Sequence, residues 1–462
     1  MIETIVGVEY ALREAADIEP YMKEWRGLWQ GTCDMVVKPA STRQISDVMK
    51  VCSEHNIAVV PQGGNTGLVG GAVANGGIVL STERLNKIRQ IDAVNFTITC
   101  EAGCILADIQ QAAQDADRLF PLSLAAEGSC RIGGNLSTNA GGVQVLRYGN
   151  ARDLALGLEV VLADGRIWNG LRGLRKDNTG YNLKHLFIGA EGTLGIITAA
   201  CLKLYPLPRQ KETAFVALNS ASTAVELFSR VNAGAGETLS AFELMNRLSV
   251  ELSVTHVSGN RSPFADATYD WYVLLELTSS QSGTGLRAAL EQVLASSLDD
   301  DIIENAVFAD SQAQVRDFWR IRESIPEAQG SLGGSIKNDV SVPISSVVDF
   351  LAKADQAVAG LVPGIRPVSF GHVGDGNLHY NLSQPDGMDR QQFLDRWHQV
   401  TDVLNDIVAD LNGSFSAEHG VGQLKRNELV RYRPSVELDL MKAVKRAFDP
   451  KSIMNPGKLF ID

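Results

Sequence analysis

Residues 60–71 read Val-Pro-Gln-Gly-Gly-Asn-Thr-Gly-Leu-Val-Gly-Gly and continue a short apolar strand pattern at Ile57–Pro61. Seven glycines fall between Gly63 and Gly77, a density that marks backbone turning tightly or lying against a ligand. Successive bare N–H groups in such a loop form an anion-binding nest that suits a pyrophosphate. The alternative is a turn with no ligand, at a high cost in chain entropy. Two commoner phosphate signatures are missing. The one Gly-Lys pair, Gly457-Lys458, lacks the upstream glycine and the hydroxyl of a P-loop, and no glycine triplet has the i, i+2, i+5 spacing of a dinucleotide fingerprint. A nicotinamide dehydrogenase of the usual architecture is therefore disfavoured.

Around this loop lies an ordinary globular composition. The chain has 462 residues, 45% hydrophobic and 21% charged, with 42 Lys+Arg against 54 Asp+Glu and a net charge of −12. That length suggests two or three domains with ample core, and the acidic balance argues against nucleic acid as a partner. No apolar run approaches the roughly 18 residues of a membrane span, so no transmembrane segment is expected. Met1-Ile-Glu-Thr carries acid where a signal peptide carries base, so the cytoplasm is the expected compartment. All six cysteines lie within the first 201 residues and none forms a C-x-x-C pair. They are read as buried thiols rather than disulfides, zinc sites or iron–sulfur ligands.

Apolar spacing predicts a helix at Thr42–His55 and strands at Ile57–Pro61, Gly77–Leu80 and Leu154–Leu162. After Tyr205-Pro-Leu-Pro-Arg209 the patterns lengthen. Helices are expected at Ser222–Val231, Gly285–Ser297, Ser345–Ala359 and, as one long helix, Arg390–Leu411, with a strand at Trp271–Leu277. The expected division is residues 1–205, a second domain at 206–412, and a C-terminal segment at 413–462 that returns to the first.

A second glycine cluster, Ala126-Glu-Gly-Ser-Cys-Arg-Ile-Gly-Gly-Asn-Leu-Ser-Thr-Asn-Ala-Gly-Gly142, adds hydroxyl and amide groups that can line a flat polar heterocycle. Leu186-Phe-Ile-Gly-Ala-Glu-Gly-Thr-Leu-Gly-Ile-Ile-Thr198 follows. In this order the three segments resemble the FAD-binding domain of flavoproteins of the vanillyl-alcohol oxidase and p-cresol methylhydroxylase type. The resemblance implies an α+β, two-domain FAD-binding fold with an α+β substrate domain built on an antiparallel sheet. It places the cofactor on Pro61, Gln62, Gly63, Gly64, Asn65, Thr66, Gly67 and Leu68. It continues on Gly133, Gly134, Asn135, Thr138, Asn139 and Gly142, then on Glu191, Gly192, Ile196 and Ile197. Members that tether the flavin often carry a histidine in the first loop; Asn65 stands in that loop here and no histidine does, so FAD is expected to be non-covalent.

Four of the seven histidines fall between His372 and His419. Ser369-Phe-Gly-His-Val-Gly-Asp-Gly-Asn-Leu-His-Tyr-Asn381 reads as strand, Gly-Asp-Gly turn and strand, a hairpin that brings His372 and His379 face to face. Ser416-Ala-Glu-His-Gly-Val-Gly422 sets a carboxylate beside an imidazole. Two imidazoles and a carboxylate suit a borderline divalent metal; hydrogen-bonded core histidines are the bland alternative. His398 has no such context and is expected on the surface or in packing. Both segments resemble the D-lactate and D-2-hydroxyglutarate dehydrogenases of this family. That likeness makes His372, His379 and Glu418 ligands of a divalent metal, commonly zinc, and His419 the catalytic base. Phe448-Asp-Pro-Lys-Ser-Ile-Met-Asn-Pro-Gly-Lys458 resembles the family's C-terminus, whose asparagine, here Asn455, approaches the flavin.

The matching substrate cations are Arg322, in Trp319-Arg-Ile-Arg-Glu-Ser-Ile-Pro326, and Lys337, in Ser335-Ile-Lys-Asn-Asp-Val340, which begins an expected strand. An Arg fork and a Lys both suit a second carboxylate, although either could equally be a solvated side chain. Pro326 stands where the family commonly has a supporting hydroxyl. Asn381, on the strand face of His379, is a candidate for the substrate oxygens. The expected activity is FAD- and metal-dependent oxidation of a D-2-hydroxy acid, first D-2-hydroxyglutarate, to the 2-oxo acid. Electrons would pass to an external acceptor, an electron-transfer flavoprotein or a quinone. D-lactate, D-malate or glycolate as substrate, a metal-free flavin oxidase, and a non-catalytic subunit of a larger complex are the alternatives. The oligomeric state, a homodimer included, stays open.

Overall fold

The computed structural model describes residues 1–265 and 267–461. The chain folds into two compact bodies, one of Met1–Gly141, Tyr148–Leu207 and Glu418–Asp462, the other of Gly142–Arg147 and Pro208–Ala417.

The first body carries strands β1 (Ala11–Leu12), β2 (Met35–Val37), β3 (Val59–Gln62), β4 (Ile78–Ser81), β5 (Ile88–Asp92), β6 (Thr97–Glu101), β7 (Arg118–Leu119), β8 (Ala155–Val161), β9 (Ile167–Gly170), β10 (Ile196–Lys203) and β11 (Tyr205–Pro206). Four make a sheet in the order β1-β2-β4-β3, with β4 parallel to both β2 and β3. The helix Thr42–His55 connects β2 to β3, which run parallel to each other with β4 between them. Its bounds follow from its chemistry. The Ser41 side chain accepts the Gln44 N–H at 3.2 Å, Asn56 closes the end at φ 53, and Ile45, Val48, Met49 and Cys52 face the core. A second sheet runs β5-β6-β10-β8-β9, antiparallel throughout. Its centre, β10, is apolar and buried along nearly its whole length, whereas edge strand β9 alternates. The six cysteines are free thiols, five of them buried.

The second body is built on one antiparallel sheet. Its strands are β12 (Gln210–Leu218), β13 (Leu239–Asn246), β14 (Trp271–Ser279), β15 (Asn305–Phe308), β16 (Ser335–Ile336), β17 (Asp339–Ser341), β18 (Arg366–His372) and β19 (Asn377–Ser383). They run β15-β12-β14-β13-β18-β19-β16, with β17 also paired to β19. Both faces are covered. Phe242 and Leu244 join the core under helices Ala221–Ala235, Leu286–Asp299 and Val347–Leu361. Met245, Phe215 and Phe370 join the opposite core, with Phe318 and Ile321 of helix Gln312–Glu323. This two-sided burial puts Glu243, alternate to Phe242 and Leu244, inside the protein.

Two expectations need correction. Arg390–Leu411 is not one helix but Arg390–Leu394 followed by Trp397–Asp410. The Arg396 N–H bonds the carbonyl only three residues back, at Phe393, so a tight turn intervenes. The strand begun at Ser335 breaks at Lys337-Asn338, where the Asn338 side-chain amide donates to the Tyr380 carbonyl at 3.1 Å. His398 is exposed. Among the described residues no helix is long and apolar enough to cross a membrane.

Candidate active site

In the first body the glycine loop after β3, the segment 130–138 and the turn leading into β10 line a cleft open to solvent. It is lined by all the sequence-assigned cofactor residues except Leu68, Asn139, Gly142 and Asn455. Those four have other places. The Leu68 carbonyl accepts from Arg26, and Asn139 Oδ1 accepts the Arg152 N–H at 3.0 Å. Gly142 belongs to the second body, whose segment 142–147 is tied to the sheet by Arg147 donating to the Thr278 carbonyl at 2.6 Å. Asn455 donates to the Gly71 carbonyl at 3.0 Å and the Glu191 carbonyl at 2.6 Å, lacing the first loop to the third segment.

The cleft fits a dinucleotide. A Cβ added at Gly67 or Gly134 meets nothing within 4 Å, so both glycines leave room, while Gly64 presses on the Ser129 carbonyl and admits no side chain. The Asn135 Oδ1 atom, buried on the cleft wall, has no partner among the described residues and offers an acceptor to an incoming donor. Cys130 also lines the cleft, and burial pushes its thiol pKa up, which keeps it protonated.

His419 lines the same cleft. The carboxylate of Glu191 fixes its loop, accepting from the Val421 N–H at 2.7 Å and the Gly422 N–H at 2.8 Å. Burial raises the pKa of Glu191, with these amides and Lys458 opposing. Gly420 and Gly422 stand at φ 80 and 52. A Cβ at Gly420 would lie 2.7 Å from Glu191 Oε1, and one at Gly422 would lie 2.2 Å from the Val69 carbonyl. Only glycine fits that clamp.

Lys458 is 3% exposed. Burial lowers its ammonium to about 8, with Arg426 adding and Glu191 opposing. Because the folded pKa lies below the unfolded one, the native state holds fewer protons between about pH 8 and 10.5, and stability attributable to this group rises with pH there. Relative to Lys458→Met, the parent should gain up to about 3 kcal/mol between pH 7.5 and 10.5. Urea denaturation of both chains at the two pH values checks this; a constant difference refutes it.

In the second body β18 and β19 carry the histidines, with Phe370 opposite His379 in the register. The rings of His372 and His379 are 5.6 Å apart at 80°. Glu243 is paired directly across from His372 on β13. Its Oε1 accepts from His372 Nδ1 at 2.6 Å and its Oε2 from Arg322 Nε at 2.7 Å. Burial alone would raise that carboxyl, but His372 and Arg322 outweigh it and hold it at about 2. The Arg322 guanidinium lies over the Phe370 ring at 4.6 Å. Asp339 sits across from His379, with Oδ1 at 3.8 Å from its Nδ1, and accepts from Asn377 at 2.9 Å.

His372, His379 and Asp339 stand together in this body, and the chain reaches Glu418 from Ala417, whose N–H bonds the Asp339 carbonyl. Two imidazoles with carboxylates form a donor set that fits a divalent cation. Asn381 is buried on the strand of His379, and Lys337 is half-buried between β16 and β17. Pro326 opens the short helix Ile325–Ala328, and the nearby Ser324 hydroxyl is engaged with the Arg320 carbonyl and Ser253. Glu243 and Asp339 were not singled out from sequence.

Residues 33–170 match the FAD binding domain family and residues 207–459 match the FAD linked oxidases, C-terminal domain family. The chain belongs to the FAD-linked oxidases of the p-cresol methylhydroxylase and vanillyl-alcohol oxidase type. It is 38% identical to D-2-hydroxyglutarate dehydrogenase of Xanthomonas citri pv. viticola, covering 97% of this chain and 93% of that one. It is also 38% identical to a probable mitochondrial D-2-hydroxyglutarate dehydrogenase of Oryza sativa subsp. indica, over 99% and 80%. It is 36% identical to the D-2-hydroxyglutarate–pyruvate transhydrogenase of Saccharomyces cerevisiae, over 96% and 89%. This flavoenzyme is therefore an oxidoreductase of the D-2-hydroxyglutarate dehydrogenase type. Its fold matches a p-cresol methylhydroxylase structure with a TM-score of 0.79 at 19% identity, covering 100% of this chain and 96% of that one.

Proposed function

We propose that this flavoenzyme oxidises D-2-hydroxyglutarate to the 2-oxo acid with non-covalent FAD and a divalent cation, zinc first. The observation that carries the reading is the pair of imidazoles His372 and His379 with Asp339 beside them, to which Glu418 would add a carboxylate, in a chain related to D-2-hydroxyglutarate dehydrogenases over nearly its whole length. When bound, FAD supplies a hydride acceptor and the cation a Lewis acid for the substrate oxygens. His419 takes the hydroxyl proton, for which imidazole is matched near neutral pH. As the C2–H bond breaks and the proton leaves oxygen, the carbinol becomes a carbonyl. Asn381 holds substrate oxygens, and Arg322 and Lys337 meet the remote carboxylate. The electrons pass to an external acceptor, an electron-transfer flavoprotein or a quinone. The name of the yeast relative pairs D-2-hydroxyglutarate with pyruvate, so a 2-oxo acid joins the acceptors to be tried. Free thiols suit a reducing cytoplasm.

A panel of D- and L-2-hydroxy acids with an artificial dye, before and after chelation, tests the proposal. D-2-hydroxyglutarate should give the highest kcat/KM, and chelation should abolish it. Preference for D-lactate, D-malate or glycolate would move the substrate; chelator-resistant turnover would favour the metal-free oxidase. Acid or heat should release intact FAD, since Asn65 is occupied with the Lys23 carbonyl at 2.8 Å. Flavin that stays with the precipitate points to a covalent link at Cys130 or His419 in the cleft wall.

A further inference from the structure

The carboxylate of Glu243 has no place in the reaction so far, yet it is fully buried and is met by two donors from different elements. We propose that Glu243 is a positioning residue that fixes the tautomer and ring orientation of His372 for cation binding and ties that imidazole to Arg322. The inference rests on the metal reading of His372. A carboxylate can only accept at both oxygens, so the 2.6 Å contact requires the proton on His372 Nδ1, and the Nε2 lone pair is the one left to a cation. The same carboxylate holds Arg322 Nε at 2.7 Å, with the guanidinium laid over Phe370. Phe370 in turn lies 5.0 Å from the His379 ring. The arginine is thus set by the group that sets the imidazole, and its rotamer is locked on two sides. The opposite charge of Arg322 and a direct cross-strand register with His372 place Glu243 without help from any loop.

The test is the zinc affinity of FAD-loaded full-length protein, read by competition with a chromophoric chelator at neutral pH. Glu243→Gln keeps the side-chain size but cannot accept at both atoms. It should weaken zinc binding by about 10–100-fold, the usual effect of removing an outer partner of a ligand histidine, with FAD content unchanged. Glu243→Asp, which keeps an acceptor at both oxygens, should hold zinc more tightly than Glu243→Gln. Equal losses in the two variants, or parental affinity in Glu243→Gln, would overturn the inference. If Glu243→Gln folds poorly, Glu243→Gln with Arg322→Met removes the cation left unpaired and is held to the same comparison. A parent that takes up no zinc overturns the metal reading and this inference with it; a parent that binds zinc while Glu243→Gln binds it equally well overturns only this one.

Discussion

His372→Ala and His379→Ala proteins are expected to purify yellow, with FAD bound and the divalent cation gone. The two imidazoles stand on β18 and β19 of the second body, whereas the dinucleotide cleft is lined by residues 61–67, 69, 71, 72, 82, 130, 131, 133–135, 137, 138, 191, 192, 195–197 and 419 of the first. Neither histidine belongs to that lining. Loss of the cation removes the Lewis acid from the substrate oxygens, a contribution of several kcal/mol, so turnover should fall by roughly 10²-fold or more. His372→Ala also strips one donor from Glu243 but leaves its pair with Arg322, so the fold should survive. Metal analysis beside flavin absorbance and dye-coupled turnover reads all three quantities. A variant that keeps parental activity after exhaustive chelation would mean that these imidazoles belong to packing and the cation to another site.

Where one residue type or one period carries the signal, the sequence reading lands close to the structure. The helix Thr42–His55 has apolar residues at 45, 48, 49 and 52 with a serine before it, and the structure caps it there. The first loop was legible because glycine density reports a close approach directly. Other features depend on distant partners. Glu243 lies in a strand that otherwise reads as buried apolar β, and its partners are 79 and 129 residues away along the chain. Nothing local distinguishes it from a carboxylate on a solvated strand face. Arg322 has the same difficulty: an arginine in an amphipathic helix usually reaches water, and only the sheet behind it makes the residue 6% exposed. Asp339 faces His379 through strand register, which no pattern in Ser335–Val340 announces. The break at Asp395-Arg396 is set by a single shortened hydrogen bond rather than by a helix-breaking residue. Nor does sequence signal that 142–147 packs with the second body, where Leu146 rests against Gly374.

Glu418→Ala and His419→Ala should fail differently although the residues are adjacent. Successive residues of an extended segment point to opposite sides, and the positive φ values at Gly420 and Gly422, clamped by Glu191, let this stretch depart from that rule. Glu418 follows Ala417, whose N–H bonds the carbonyl of Asp339 beside His379, whereas His419 lines the dinucleotide cleft. Glu418→Ala should therefore lose the cation. His419→Ala should keep both cation and FAD yet reduce its flavin roughly 10²–10⁴-fold more slowly, the range for removing a general base. Stopped-flow flavin reduction under anaerobic conditions measures that step directly, and added imidazole should restore part of the rate, which a purely structural defect would not permit. Because His419 adjoins Glu418 in the chain, metal analysis of His419→Ala decides its role: a chain that has lost its cation makes His419 a ligand, and one that reduces flavin at the parental rate passes the hydroxyl proton to another group.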